Sequence, residues 1–239
     1  MAGIDGLQLV SIEHSNRCPF AEMGMHPKCP AAIAGPPKKD FKSMPTSMAL
    51  SIMDDLGALG YDRLIMFSIY NEPMSDPRFF WLVDQLYARV PKARLRLLTN
   101  SLSINRALVE DLKRHDCACE IDAYTKEEVE RMKLEGVDYY TVCARRHDNR
   151  LGLYNRPYHG RNDLAPCTAW NHLAIFHTGE ICICCMDWAR KEVLDDLRHV
   201  RLLDFLNGPM WNDTMRRLAA GERSSDLCRR CTWEPGRPV

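Results

Sequence analysis

The amino-acid sequence predicts an α/β fold: a partial (β/α) barrel of about five to six parallel strands, followed by a small C-terminal unit of a β-hairpin and short helices. Three observations lead there. Apolar strand-like runs alternate with helix-periodic segments from Leu7 to Ala144. Beyond about Arg150 that alternation gives way to a hairpin pattern around "TG". The cysteines are uneven: Cys167, Cys182, Cys184, Cys185, Cys228 and Cys231 lie in the last third, out of 11 in the chain.

The elements follow in order. "LQLVSI" (residues 7–12) reads as the first strand. In "PTSMALSIMDDLGALG", Met48, Ile52, Met53, Leu56 and Leu59 recur at helical spacing, and Gly60 suits the end. "RLIMFSIY" (63–70) is a second, largely apolar strand. Asp76-Pro77 supplies an N-cap and a first-turn proline, with Phe80, Val83, Leu86 (or Tyr87) and Val90 as the buried face beyond. "RLRLLTN" (94–100) is a third strand, 105–115 a helix and "CACEIDAY" (117–124) a fourth strand. "TKEE" is a capping box opening a helix that ends by Gly136. "VDYYTVCA" (137–144) is a fifth strand. "HLAIFHTGEICICCMDW" reads as a hairpin, and short amphipathic helices are expected around 201–206 and 209–220. Regular alternation implies right-handed crossovers between parallel strands, with functional groups at the C-terminal strand ends. Cys18, Asn71, Glu72, Pro73, Asn100 and Asp122 each follow or end such a strand.

The composition narrows the function. The chain has 239 residues, is 46% hydrophobic and has a formal net charge of +0. It can bury a core, and it has no charge excess to attract nucleic acid or a membrane surface. The start "MAGIDGLQLV" has no basic, apolar leader pattern, and no run approaches the roughly 18 apolar residues of a membrane helix. These features read as a soluble, cytoplasmic protein. In such a compartment clustered cysteines point to metal rather than disulfides. Cys228-Arg-Arg-Cys231 lets one turn present two thiolates. Cys184 follows the hairpin turn at Gly179, and Cys167 precedes the hairpin. Four thiolates from three segments suit zinc or a [4Fe–4S] cluster, and spacing alone does not separate them.

The segment "APCTAWNHLAIFHTGEICICCMDW…LLDFLNGPMWNDTMRRLAAGERSSDLCRRCTW" resembles the auxiliary-cluster extension of radical S-adenosylmethionine (SAM) enzymes, of SPASM/twitch type. The chain ends eight residues after Cys231, at Val239, and is similar to the shorter twitch form. That resemblance implies one auxiliary [4Fe–4S] cluster held by Cys167, Cys184, Cys228 and Cys231, with Cys182 and Cys185 as packing residues. It also implies a division into a radical SAM-like partial barrel, 1–149, and an auxiliary-cluster unit, 150–239. Upstream, "FSIYNEPMSDPRF" is similar to the family's G-G-E-P segment, with Asn71 in place of Gly and Glu72 and Pro73 retained. "LLTNSLSIN" resembles the segment after the third strand, and "EIDAYTKEE" the one whose polar side chain, here Asp122, meets the SAM ribose. Asn71, Glu72, Pro73, Asn100 and Asp122 are the implied SAM contacts. The family usually has about six βα units, and this chain reaches "NRLG" after the fifth strand, so the barrel is expected to be more open.

One loop departs from the family. Its C-x3-C-x2-C becomes "CPFAEMGMHPKCP", in which Cys18 fits the first position, Cys29 the third and His26 the second. Glu22 stands at the standard spacing from Cys18. Three readings stay open: a SAM cluster on Cys18, His26 and Cys29; one completed by Cys117, Cys119 or Cys143; or a loop without a cluster. The resemblance implies SAM, a second [4Fe–4S] cluster, and a 5′-deoxyadenosyl radical that oxidises or modifies a small alcohol, a sugar or a peptide residue. An external electron donor such as a flavodoxin or ferredoxin would be its partner. The alternative is a protein of the same fold without the SAM cluster, acting as an iron–sulfur binding or electron-transfer partner. His172 and His177 are expected to be ordinary surface or core residues, and Trp170, Trp188 and Trp211 to pack the smaller unit on the barrel. Arg145, Arg146 and Arg150 form a small basic group that suits a carboxylate, a phosphate or solvent.

Overall fold

The structure, a computed structural model, describes residues 4–24, 29–33, 41–100, 102, 104–115, 117–123, 125–134, 141–142, 171–222 and 225–231. Its strands are β1 Leu9–Ile12, β2 Leu64–Met66, β3 Arg94–Asn100, β4 Ala118–Ala123, β5 Thr141–Val142, β6 His172–Ile175, β7 Glu180–Cys182 and β8 Val193–Asp196. Its helices are α1 Pro19–Glu22, α2 Pro30–Ile33, α3 Thr46–Ala58, α4 Phe79–Arg89, α5 Arg106–Arg114, α6 Lys126–Leu134, α7 Leu202–Asn207, α8 Pro209–Ala219 and α9 Asp226–Arg230. The strands form one sheet in the order β5-β4-β3-β2-β1-β6-β7-β8.

Neighbours from β5 across to β6 are all parallel, whereas β7 and β8 are antiparallel additions. The sheet thus has six parallel strands, the upper end of the expected range. The sixth is the first strand of the hairpin, and it pairs with β1 rather than following β5. The sheet therefore runs through both parts of the chain. The expected boundary at residue 149 lies outside the described residues.

Local signals set several element ends. Asn105 caps α5 by accepting from the Leu108 amide at 3.0 Å. Thr125 and Glu128 form the reciprocal capping box, with bonds of 2.9 and 3.1 Å, which satisfies two amides that a helix start leaves open. Helix α4 begins two residues later than its proline implies. Asp76 turns its carboxylate onto the amide and guanidinium of Arg78, both at 3.0 Å, and this local turn delays the helix. Phe79 rather than Phe80 is consequently the deep residue at its start. Strand β2 stops at Met66 because Asn71 folds back on it, donating to Phe67 O and accepting from the Ile69 amide. β8 was not expected; its half-polar "VLDD" is an edge strand that exists through pairing with β7.

The main core lies between the sheet and its helices. Val10, Ile12, Ile65, Leu95, Leu97, Leu173, Ile175 and Ile181 meet Ile52, Met53, Leu56, Leu82, Leu86, Leu206 and Trp211. α3 and α4 approach so closely that a Cβ on Gly57 would stand 2.3 Å from the Arg89 carbonyl oxygen. Asp55 on α3 is fully buried, pairs with Arg201 and accepts from the Leu203 amide at 3.2 Å. It thereby anchors the first turn of α7. Asp55→Ala should lower stability by about 1–3 kcal/mol, read as a shifted urea midpoint with an unchanged slope.

Candidate functional site

The C-terminal ends of β1, β2 and β3 gather polar residues that are almost fully buried: Glu13, His14, Ser15, Ser68, Asn71, Glu72, Thr99 and Asn100. Glu72 lies at their centre. One carboxylate oxygen accepts from the Asn100 amide at 2.8 Å, and the other from the Thr99 hydroxyl at 2.5 Å and the Met74 amide at 3.4 Å. Its own amide donates to Arg17 O at 2.7 Å. His14 Nε2 donates to Pro73 O at 3.0 Å. The segment 71–73 is thus tied to the loop leading into Cys18 and to the end of β3.

Asn71 occupies its loop position without a left-handed backbone, because Arg190 is the only non-glycine with positive φ among the described residues. Its amide group closes 67–71 by the two bonds to Phe67 and Ile69 described above. Asn100 and Asp122 are register partners across β3 and β4, and Asp122 acts electrostatically on Glu72. The expected SAM contacts therefore converge.

Cys18 of the first loop lies near this carboxylate, and Cys29 near Cys18. Cys18 immediately precedes α1, whose Glu22 amide donates to Cys18 O at 3.1 Å. Burial pushes the Cys18 thiol up to about 11, and Cys29 and Glu72 add to the rise. Cys29 is the described cysteine that acts on Cys18. Cys117 and Cys119 belong to the helix-side core, although the Cys119 thiol, pushed up to about 12 chiefly by burial, also feels Glu72. Glu22 has one buried oxygen without a hydrogen bond, 3.6 Å from Arg17 Nε. His26 and Cys143 lie outside the described residues.

A second cysteine centre follows the hairpin. The turn at Gly179 has φ +104°, and a Cβ there would meet Asp196 and Met48 at 3.1 and 3.2 Å, so glycine is required. Cys184 comes five residues later. Cys228 and Cys231 lie on α9 and at its end, where Ser225 accepts from the Cys228 amide at 3.0 Å. Cys184, Cys228 and Cys231 are 9%, 8% and 7% exposed. Burial drives the Cys184 thiol well up, with Cys185, Cys231 and Cys228 adding to it. Cys167 lies outside the described residues, as do Trp170, Arg145, Arg146 and Arg150. No disulfide links any two of the nine described cysteines. Among the described residues, no three His, Cys, Asp or Glu side chains gather to hold a single metal ion. The donor chemistry fits an iron–sulfur cluster, which takes one thiolate per iron and removes the cost of ionising buried thiols.

Cys182 is fully buried and packs with Ala174 and Phe176. Trp211 is also fully buried and packs with Phe205. Sequence reasoning missed Glu13, His14 and Thr99. His177 Nδ1 meets Glu13 at 2.7 Å, and both side chains are 6% exposed. His172 Nε2 meets the Ser11 hydroxyl at 2.8 Å, and burial lowers its pKa to about 4. The signal was available in "IEHS" and "HTGE", where polar residues interrupt strand ends that should be apolar.

The site defines a class: an α/β protein with a buried carboxylate at the sheet's C-terminal edge, one cysteine loop beside it and a second cysteine centre after a hairpin. Residues 167–232 match the family model SPASM, iron-sulfur cluster-binding domain. The whole-chain fold matches that of BtrN in complex with AdoMet and 2-DOIA, with a TM-score of 0.75, 18% identity, and 95% of this chain and 93% of that one covered. Native anSMEcpe with bound AdoMet gives a TM-score of 0.51 at 10% identity, covering 88% and 83%. The same enzyme with AdoMet and the Cp18Cys peptide gives 0.50 at 11%, covering 95% and 86%. No curated protein matches by sequence. The chain shares the fold of these structures, and its segment 167–232 is similar to the SPASM iron–sulfur cluster-binding family. Among the described residues no helix is long and apolar enough to cross a membrane.

Glu72 generates a pH dependence. Its pKa is raised to about 7, first by burial and then by Asp122, against the pull of Thr99, Asn100 and Met74. A carboxyl raised in the fold contributes stability at pH values below its unfolded pKa, and that contribution is lost as pH rises through the folded one. Relative to Glu72→Gln, the wild-type apoprotein should lose about 3 kcal/mol between about pH 4 and about pH 8, measured by urea unfolding.

Proposed function

We propose that the chain is a radical SAM enzyme with a single auxiliary cluster, oxidising or modifying a small alcohol or sugar, or a peptide residue. The observation that carries this reading is the Glu72 carboxylate, buried near Cys18, which in turn neighbours Cys29, and held by three donors with no cation bonded to it among the described residues. An ammonium group is the partner such a carboxylate suits. The unpartnered buried hydroxyls of Ser15 and Ser68, at the same strand ends, fit a polar ligand there. Cys18 and Cys29 would hold the SAM cluster with His26, and Cys184, Cys228 and Cys231 the auxiliary cluster with Cys167. Asn71, Pro73, Asn100 and Asp122 would complete the SAM contacts. When bound at these residues, a cluster and SAM would supply 5′-deoxyadenosyl radical chemistry for hydrogen abstraction from substrate. The chain's own part is to orient SAM through Glu72, exclude water with the surrounding buried residues and hold the second centre nearby.

The neighbours' contents guide the choice of substrate. BtrN was crystallised with 2-DOIA and anSMEcpe with a peptide. The better overlay is on BtrN, so a small alcohol or sugar is the first class to test. An electron donor such as a flavodoxin or ferredoxin is required from outside. A second reading rests on the loop itself, which has two cysteines where the family has three: a protein of this fold with only the auxiliary cluster.

Anaerobic reconstitution separates the two, with about eight irons per chain for the enzyme and about four for the alternative. With SAM and dithionite the enzyme should release 5′-deoxyadenosine, and Cys18→Ala should abolish it; unchanged formation in that variant removes Cys18 from the ligand set. Glu72→Gln should weaken SAM binding roughly 10- to 100-fold while leaving the iron content intact, as read by calorimetric titration.

A further inference from the structure

Tyr70 is half-buried on the segment between β2 and Glu72, and packs with Ala174, Phe176 and Cys182. Its hydroxyl donates to the main-chain carbonyl of Cys185, 115 residues away. That carbonyl adjoins Cys184, and Tyr70 stands two residues before Glu72. One side-chain hydrogen bond therefore joins the loop that carries the buried carboxylate to the loop that carries a cysteine of the second centre. The far half of that loop has other ties. The Asp187 carboxylate accepts from the Lys191 and Glu192 amides at 2.9 and 2.8 Å. Arg190 donates to Thr178 at 2.9 Å and lies 5.2 Å over the Phe176 ring. The Asp187 bonds close residues 187–192 on themselves, and Arg190 ties that segment to the hairpin. Tyr70 acts on the near half, where Cys184 sits.

We propose that Tyr70 is a positioning residue that locks the Cys184 loop against the Glu72 loop and so sets the surroundings of the auxiliary cluster. The proposal rests on the reading of Cys184 as a ligand of that cluster. A phenol hydroxyl bonded to a carbonyl one residue from a ligand fixes the loop's course and keeps water from the sulfurs. Hydrogen bonding and solvent exposure are the levers by which a protein sets a cluster's potential. Water favours the more highly charged reduced state, so loosening this loop raises the potential.

The test compares the full-length chain, reconstituted anaerobically with iron and sulfide, with its Tyr70→Phe variant, which keeps the ring and loses the hydroxyl. Two readouts apply. Amide hydrogen exchange at residues 184–187 should be on the order of tenfold faster in the variant, with exchange elsewhere unchanged. The midpoint potential of the C-terminal cluster, followed by its paramagnetic resonance signal, should rise at equal iron content. Cys184→Ala identifies that signal by removing it. Unchanged exchange and an unchanged potential overturn the proposal. A signal that survives Cys184→Ala overturns instead the assignment of the ligand, and the exchange rates then judge alone whether Tyr70 holds the loop.

Discussion

The pairing of β6 with β1 is the constraint on which the rest of the molecule depends. Leu9, Val10, Ser11 and Ile12 stand opposite His172, Leu173, Ala174 and Ile175. Side chains alternate along a strand, so this register sends Val10, Ile12, Leu173 and Ile175 together into the helix-side core and places Ser11 beside His172 on the other face. A slip of one residue would exchange the two sets and bury His172 among aliphatics. The same register lets Glu13 bond to Ile175 O at 2.8 Å and meet His177 just beyond the strand. The hairpin turn is therefore positioned from β1, the strand that leads into Cys18. Both cysteine loops inherit their places from one pair of strands.

The polar burial at this edge would be costly in an ordinary core, where ionisable groups lower stability unless they are paired. Most of the groups here are paired within the chain: Glu13 with His177, Asp187 with two amides, and Asp76 with Arg78 at 2.7 Å. These contacts make the loops rigid without flexible surface side chains. Among the described residues Ser15 and Ser68 stay unsatisfied, and Glu72 has donors but no cation. Structure-holding polar groups thus surround a small set whose needs the chain does not meet itself.

How much of this the sequence disclosed follows from how local each signal is. β3 was expected at 94–100 and is observed there, since its alternation and flanking turns need no distant partner. The Thr125–Glu128 box was equally legible, being a contact within four residues. The convergence of Glu72, Asn100 and Asp122 followed from the rule that parallel strands share a C-terminal edge. Placement of β6 on the far side of β1 was hidden, because a hairpin's internal pairing says nothing of what else its first strand touches. β8 has a half-polar pattern that becomes a strand only when β7 is beside it. Thr99 was read as part of a strand end, and only the fold brings its hydroxyl to Glu72.

The positions at which this chain departs from the motifs it resembles can be weighed in the same terms. A glycine at position 71 would leave 67–71 free to sample left-handed conformations, whereas Asn71 spends both ends of its amide on closing that segment. The change therefore firms the loop without altering where Glu72 points. The first cysteine loop is a different matter. Cys18 is raised by burial and by its neighbours Cys29 and Glu72, and Glu72 by burial and Asp122, so both resist ionisation. Two groups that become anions only at a cost, one of them held by bonds to Arg17, Thr99 and Asn100, make physical sense where positive charge is delivered from outside. On the proposed function, iron at the thiols and an ammonium at the carboxylate would supply that charge, and each would lower the cost of ionising the other's partner. The two departures thus act differently: Asn71 stiffens the frame, while the wider cysteine spacing leaves the charge logic of the site intact.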